Sequence, residues 1–214
     1  MEDETRFEEQ LDAQPQPAYS KGRKIWLEIK DILTGVAFPF ILTLVLSSTV
    51  IRYAGYKADL AISIVACVGG EAMLIAALVM FGRYNGAAAY KKNLLHEQKR
   101  ELGSQDERVG YRTGEYALWK GVVIGAVLCI PFLVFQTIEL CAPNVVCQFC
   151  LNYICAWAYY PLSYAGENLE GLNYICVIIP IAAHTVGYYL GKIKQIKVQK
   201  QLEETNAKKK GRKK

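Results

Sequence analysis

Charged residues are almost missing from four long stretches of this 214-residue chain. Residues 32–51, 121–138 and 171–191 contain none, and residues 60–81 contain only Glu71. Apolar runs of this length match the hydrocarbon core of a bilayer, which a helix crosses in about 20 residues. The pattern excludes a soluble enzyme, a disulfide-stapled miniprotein and a disordered chain, and it predicts an integral membrane protein.

Histidine is scarce, and sequence motifs for catalysis are missing. The two histidines, His96 and His184, give little material for a histidine-based triad or for a conventional zinc site. Phosphate-binding loops, zinc-protease helices, Gly-x-Ser-x-Gly turns and dinucleotide fingerprints are also missing. We therefore expect neither a metal nor a resident cofactor, and a non-enzymatic role is favoured.

Lysine and arginine are unevenly distributed among the segments that connect the apolar runs. Of the 25 basic residues, 23 lie before the first run, between residues 83 and 120, or after residue 191, and the other two are Arg52 and Lys57. Loops rich in Lys and Arg stay on the cytoplasmic side. We therefore predict that both termini are cytoplasmic, in a protein of the plasma membrane.

The predicted fold is an all-α integral membrane bundle of four helices. An acidic cytoplasmic segment (1–31) precedes the transmembrane domain (32–191), and a basic cytoplasmic tail (192–214) follows it. The spans are expected at about 32–51, 58–81, 119–140 and 171–191, with a cytoplasmic loop at 83–118 and an outer loop at 141–170. Within the cytoplasmic loop, apolar spacing over residues 87–102 predicts a helix that continues the second span or lies on the inner surface.

One further segment, residues 144–164, is apolar, uncharged and rich in aromatic residues. If it crossed the bilayer as a fifth span, the ten basic residues of the tail would lie outside, against the positive-inside rule. Trp and Tyr favour the level of the lipid headgroups. We therefore predict an element of the outer loop that lies at the interface or re-enters the membrane, broken at Pro161, with a fifth span as the alternative.

Small residues recur near the predicted cytoplasmic ends of the spans. They form three Gly-x-x-x-Gly pairs: Gly82 with Gly86, Gly121 with Gly125, and Gly187 with Gly191. Helices in lipid associate where small residues let their backbones approach closely. The pairs predict tight packing at the inner side of the bundle, within one molecule or against other copies or other membrane subunits. The remaining expected partner is the lipid bilayer, and no aromatic or motif context points to nucleic acid.

Glu71 is the one acidic residue far from the ends of a predicted span. A carboxyl group at that depth costs about 2.5–3.5 kcal/mol on insertion scales, so it usually has a partner. Residue counts from the inner span ends place His184 at a similar depth. We expect Glu71 and His184 to form a polar centre, as hydrogen-bonded structural groups or as a proton-handling pair. Lys120, at a span end, is expected to reach water and to need no functional role.

Four of the seven cysteines lie within the predicted outer loop: Cys141, Cys147, Cys150 and Cys155. Cys147 and Cys150 form a Cys-x-x-Cys pair, which outside the cytoplasm suits a structural disulfide, a redox-active dithiol or a metal, of which the metal is disfavoured.

Four spans with an outer Cys-x-x-Cys pair resemble, in architecture, the quinone-coupled disulfide-generating membrane proteins of the DsbB and vitamin K epoxide reductase type. That resemblance implies an exofacial thiol-disulfide oxidoreductase that uses a quinone. The second thiol pair of that type is missing here, because the other outer loop has no cysteine.

The leading functional prediction is a small non-enzymatic membrane protein, either an accessory or assembly subunit or a minor transport component. The first alternative is the oxidoreductase with Cys147 and Cys150 as its redox pair. The second alternative is a proton-coupled carrier centred on Glu71.

Overall fold

The computed structural model describes residues 21–51, 60–101, 116–163 and 170–211. Most of the acidic N-terminal segment, the first outer turn and the second half of the cytoplasmic loop lie outside the described residues. The elements in chain order are α1 (Lys21–Leu46), a π-helical turn (Ser47–Ile51), α2 (Leu60–Glu101), α3 (Leu118–Cys141), α4 (Val145–Tyr153), α5 (Ala156–Ser163), a 3-10 helix (Glu170–Val177) and α6 (Ile178–Gly211).

Among the described residues, four helical segments are long and apolar enough to cross a membrane. They are Ile25–Thr49, Ala61–Leu95, Leu118–Cys141 and Asn173–Thr205. The described part of the chain contains no β-strand. The all-α class and the four candidate spans expected from the sequence are thus confirmed.

Three of the four long helices extend past the apolar runs that predicted them. α2 has 42 residues and continues through the helix expected at 87–102, which is confirmed as a continuation of the second span as far as Glu101. α6 continues through Gly211, and α1 begins at Lys21. Charged side chains end the hydrophobic pattern without ending a helix, because Lys, Glu and Gln are good helix formers.

α2 and α6 form the most intimate pair of the bundle, and they run parallel. A Cβ atom added to Gly82 would meet the backbone of His184 and Tyr188, whereas one added to Gly191 would meet the backbone of Arg83 and Ala87. Along this contact, residue numbers therefore increase in the same direction on α2 and on α6. Parallel helices that cross a membrane must be separated in sequence by a return span, and α3 fills that role between them.

α3 packs on α6 beside α2, while α1 lies farther from the centre. An added Cβ on Gly125 of α3 would lie 2.7 Å from the Cα atom of Ile181. α6 is thus held closely on two sides, by α2 and by α3. α1 contacts α2 and α3 more sparsely, which leaves a cavity on its α2 side.

Residues 144–163 fold into two short helices at the far end of the bundle. α4 has 9 residues and α5 has 8, so neither reaches the roughly 20 residues of a span. The side chain of Asn144 caps α4 by accepting a hydrogen bond from the Val146 amide at 2.8 Å. The structure therefore gives no fifth helix of spanning length in this segment. The predicted break at Pro161 is wrong, because the interruption lies after Tyr153 and α5 continues through Pro161 to Ser163.

The two short helices differ in burial: α4 turns one face into the bundle and exposes Val145, Val146 and Phe149, whereas the described side chains of α5 are mostly buried. Trp157 is 3% exposed, and Leu151 is fully buried. The ring of Trp157 lies 5.7 Å from that of Phe132 on α3, centroid to centroid, and its amide lies 3.4 Å from the Ser47 hydroxyl of the π-helical turn. Buried side chains of α4 and α5 thereby join the hydrophobic core together with residues of α3 and the π-helical turn.

Candidate functional site

A chain of polar contacts links the four long helices at the level of Asn85. The Asn85 amide nitrogen Nδ2 lies 3.1 Å from the Gly35 carbonyl of α1 and 3.4 Å from His184 Nε2 of α6. The other ring nitrogen, His184 Nδ1, lies 3.1 Å from the Gly121 carbonyl of α3. One asparagine on α2 and one histidine on α6 therefore connect all four long helices.

This geometry selects one neutral tautomer of His184. A carbonyl oxygen only accepts, so Nδ1 must carry the hydrogen that it donates to Gly121. Nε2 is then the acceptor, and it takes the second amide hydrogen of Asn85. The ring is fully buried and both of its nitrogens are engaged, so this arrangement holds helices together rather than presenting a free base.

Glu71 lies well away from His184, which corrects the expectation that the two form one polar centre. His184 packs against Gly82 of α2, and Gly82 is eleven residues, or about 16 Å of helix, from Glu71. Glu71 is instead close enough to Cys67 and Cys176 to interact electrostatically with their thiols. Both of its carboxyl oxygens are buried and have no hydrogen-bond partner among the described residues.

The error came from the assumed ends of the helices. The sequence-based depths took Gly82 and Lys192 as the inner edges of their spans, yet α2 continues for 19 residues past Gly82 and α6 continues past Lys192. The parallel register of α2 and α6 places Gly82 beside His184, far from Lys192. Depths counted from the last apolar residue of each helix therefore gave the wrong relative positions for Glu71 and His184.

An ion pair joins α1 and α3 close to the asparagine–histidine chain, the series of contacts from Gly35 through Asn85 and His184 to Gly121. Lys120 Nζ lies 2.6 Å from Glu28 Oε2, and the Lys120 side chain is only 7% exposed. The expectation that Lys120 reaches water is therefore wrong. The sequence alone did not reveal Glu28 as its partner, because Glu28 precedes the first apolar run and appeared to belong to a solvated segment.

Aromatic contacts continue this polar layer at the start of α3. The Tyr116 ring stacks on Tyr188 at 5.0 Å between centroids, and Lys192 Nζ lies 5.0 Å from the Tyr116 ring centroid. The Tyr116 backbone amide donates to the Asn93 side chain at 2.9 Å. Burial raises the pKa of the Tyr116 phenol above its ordinary value. Tyr116 thus ties α2, α3 and α6 together at one end of the bundle.

The six glycines singled out from the sequence all lie at interhelical contacts. Gly82, Gly86, Gly187 and Gly191 lie between α2 and α6, while Gly121 and Gly125 lie between α3 and α6. At Gly86 and Gly187 an added Cβ would overlap backbone atoms of Tyr188 and Val79, respectively. Gly69, by comparison, has no atom within 4 Å of an added Cβ. These glycines allow the approach of backbones within this single chain.

The cysteines of the segment between α3 and the 3-10 helix differ in exposure. Cys141 is exposed, Cys150 is half-buried, and Cys147 and Cys155 are buried, and all are free thiols. Cys147 and Cys150 are three residues apart on α4, so they share one face of that helix. Burial raises the pKa of Cys155 to about 12, with smaller contributions from Cys150 and Cys129 nearby.

Metal ligands are not gathered anywhere in the described ranges, since no group of three or more His, Cys, Asp or Glu side chains is placed to hold an ion. Comparisons with known protein families, with curated proteins and with solved structures find no match to this chain. Over the ranges that the structure describes, the protein is helical and has four apolar helices of membrane-spanning length.

Proposed function

We propose that this protein is a non-enzymatic accessory or assembly subunit of the plasma membrane, with four spans and cytoplasmic termini. The observation that carries the proposal is a set of hydrogen-bond contacts that connects all four long helices through Gly35, Asn85, His184 and Gly121. A carrier needs an interior that rearranges, and an enzyme needs a group left free to react. Asn85 and His184 instead use their polar atoms to connect helices.

The close packing of α6 supports the same proposal. Glycines on α2 and α3 bring two backbones against α6, and such contacts are disrupted by any sliding of one helix past another. The cytoplasmic orientation rests on the distribution of Lys and Arg. In that orientation the charged extensions of α2 and α6 project into the cytoplasm, and α4 and α5 lie at the outer side.

A complementation experiment separates the three functional candidates. Deletion of the gene is expected to reduce the assembly of a companion membrane complex, which is identified by stoichiometric co-purification in mild detergent. The wild-type gene, Glu71→Gln and the Cys147→Ser/Cys150→Ser double variant should all restore assembly. Gly187→Leu, which disrupts the α2–α6 contact, should not restore it. Failure of Glu71→Gln alone would favour the carrier, and failure of the double cysteine variant alone would favour the oxidoreductase.

The thiol-disulfide oxidoreductase is the second candidate, because Cys147 lies in the first turn of the capped helix α4 with Cys150 one turn later. Closing a disulfide between them releases two electrons and two protons, which a quinone could accept to become a quinol. Differential alkylation followed by mass measurement tests this chemistry. Two thiols that stay reduced in the presence of a quinone would remove this candidate.

A further inference from the structure

A cavity of about 850 Å³ lies between α1 and α2. Lys120 and Ile124 of α3 and Tyr188 of α6 close its inner wall. Its volume is within the range of about 300–1,000 Å³ that is typical of small-molecule sites. The asparagine–histidine chain lies at its edge and does not fill it, since the two Asn85 amide hydrogens are already directed to Gly35 and His184.

The cavity is long, and its polarity changes from one end to the other. Asp31, Lys92 and Lys120 lie at one end, and apolar residues such as Leu42 and Ala77 lie at the other. Eleven residues of α1 separate Asp31 from Leu42, and fifteen residues of α2 separate Ala77 from Lys92. At about 1.5 Å per residue, the cavity extends roughly 16–22 Å along the helices.

The polar end holds two ammonium groups, each of which is paired with one carboxylate. Each lysine ammonium group has three donors. Lys92 Nζ donates to Asp31 Oδ1 at 2.8 Å, and Lys120 Nζ is paired with Glu28 at 2.6 Å. Within the described residues this leaves two N–H donors on each ammonium without an acceptor. An anionic oxygen-rich group would satisfy them, and a phosphate has the charge and the number of acceptors required.

The apolar end opens sideways toward the surroundings of the bundle. Phe38 and Met80 line it, and each is 71% exposed. A helix of another protein is about 10 Å across. A hydrocarbon chain is thinner and enters sideways from a bilayer without burying unsatisfied backbone groups.

We propose that this cavity is a binding site for one membrane phospholipid. Its phosphate contacts the ammonium groups of Lys92 and Lys120, and one acyl chain lies between α1 and α2 against Phe38, Leu42 and Met80. The site holds the lipid in one orientation, because its charged and apolar ends lie along the bundle axis. Such a lipid completes the packing of α1, which the protein's own side chains leave partly open.

Native mass spectrometry of the full chain, released from detergent micelles with added phosphatidylglycerol, tests the site. The wild-type protein should retain one lipid, saturably. Ala88→Trp fills the cavity from an exposed position of α2 and should abolish retention, whereas Ala182→Trp, at an exposed position of α6 outside the cavity, should not. Thermal unfolding of both variants establishes that the bundle is intact.

A charge variant tests the position of the phosphate. Lys92→Gln should weaken phosphatidylglycerol binding about tenfold, as expected for loss of a charge-assisted hydrogen bond, and the neighbouring Lys91→Gln should leave it unchanged. Diacylglycerol with the same acyl chains should bind at least tenfold more weakly than phosphatidylglycerol to the wild-type protein. Equal lipid retention by the wild-type protein and Ala88→Trp would overturn the proposal, and so would retention that does not saturate. A cross-link from position 88 to another polypeptide would overturn it as well.

Discussion

Asn85 uses both of its amide hydrogens in the bundle interior, so its replacement affects two other helices. Asn85→Leu keeps the size of the side chain but leaves His184 Nε2 without a donor. We expect a loss of about 1–2 kcal/mol of unfolding free energy, the range for a buried hydrogen bond in a membrane protein. Reversible unfolding in mixed micelles measures this change.

A double-mutant cycle with His184→Leu shows whether the effect belongs to the Asn85–His184 contact. The two substitutions should be non-additive by at least about 0.5 kcal/mol if the side chains are coupled. Strictly additive losses would mean that Asn85 acts only through the Gly35 carbonyl.

Cys155 provides a second test at the scale of single residues, because its reactivity depends on burial. Its pKa of about 12 keeps the thiol protonated, and only the thiolate reacts with alkylating reagents. At pH 9, well below that pKa, only a small minority of molecules carries the thiolate. Mass spectrometry after brief maleimide treatment should therefore find Cys141 modified and Cys155 unmodified. Similar modification of both thiols would show that α4 and α5 do not shield Cys155.

At the scale of elements, the contact between α2 and α6 depends on glycine at defined positions. In Gly187→Ala the new methyl group would lie 2.9 Å from the Val79 Cα atom and closer still to its carbonyl oxygen. Overpacking of this kind costs about 1–3 kcal/mol, and we expect a loss of unfolding free energy in that range. The readout is again unfolding in mixed micelles.

Gly69→Ala is the matched control, since the same change is made on α2 where an added Cβ meets no atom. Alanine is the better helix former by up to about 1 kcal/mol, so this variant should be as stable as the wild-type protein or slightly more stable. A loss at position 69 equal to that at position 187 would contradict the packing argument.

The four long helices could be predicted from the sequence, whereas their register could not. Hydropathy responds to runs of apolar residues, and this property identified the spans and the continuation of α2. Register depends on which glycine meets which backbone, and nothing in a single sequence specifies that Gly82 faces His184. Asn85 and Glu28 were missed for the same reason, because their partners Gly35, His184 and Lys120 belong to other helices.

At the scale of the whole molecule, the orientation of the chain remains a prediction that can be tested. Val145 is 81% exposed at the start of α4, and Glu204 is exposed near the end of α6. In a background without Cys141 and Cys150, an impermeant maleimide should label Val145→Cys on intact cells. It should label Glu204→Cys only after the cells are permeabilised, and labelling of Glu204→Cys on intact cells would reverse the proposed orientation.

The parallel pairing of α2 with α6 also constrains how the molecule is made. α6 is the last of the four long helices to emerge from the ribosome, yet all six glycine contacts involve it, and it carries the histidine that receives the Asn85 hydrogen. Until α6 enters the membrane, α2 has its small-residue stripe and a polar amide facing lipid. A chain stalled after α3 therefore exposes the glycines of α2 and the Asn85 amide without their partners on α6. Exposed groups of this kind allow membrane chaperones and proteases to distinguish immature products from complete ones.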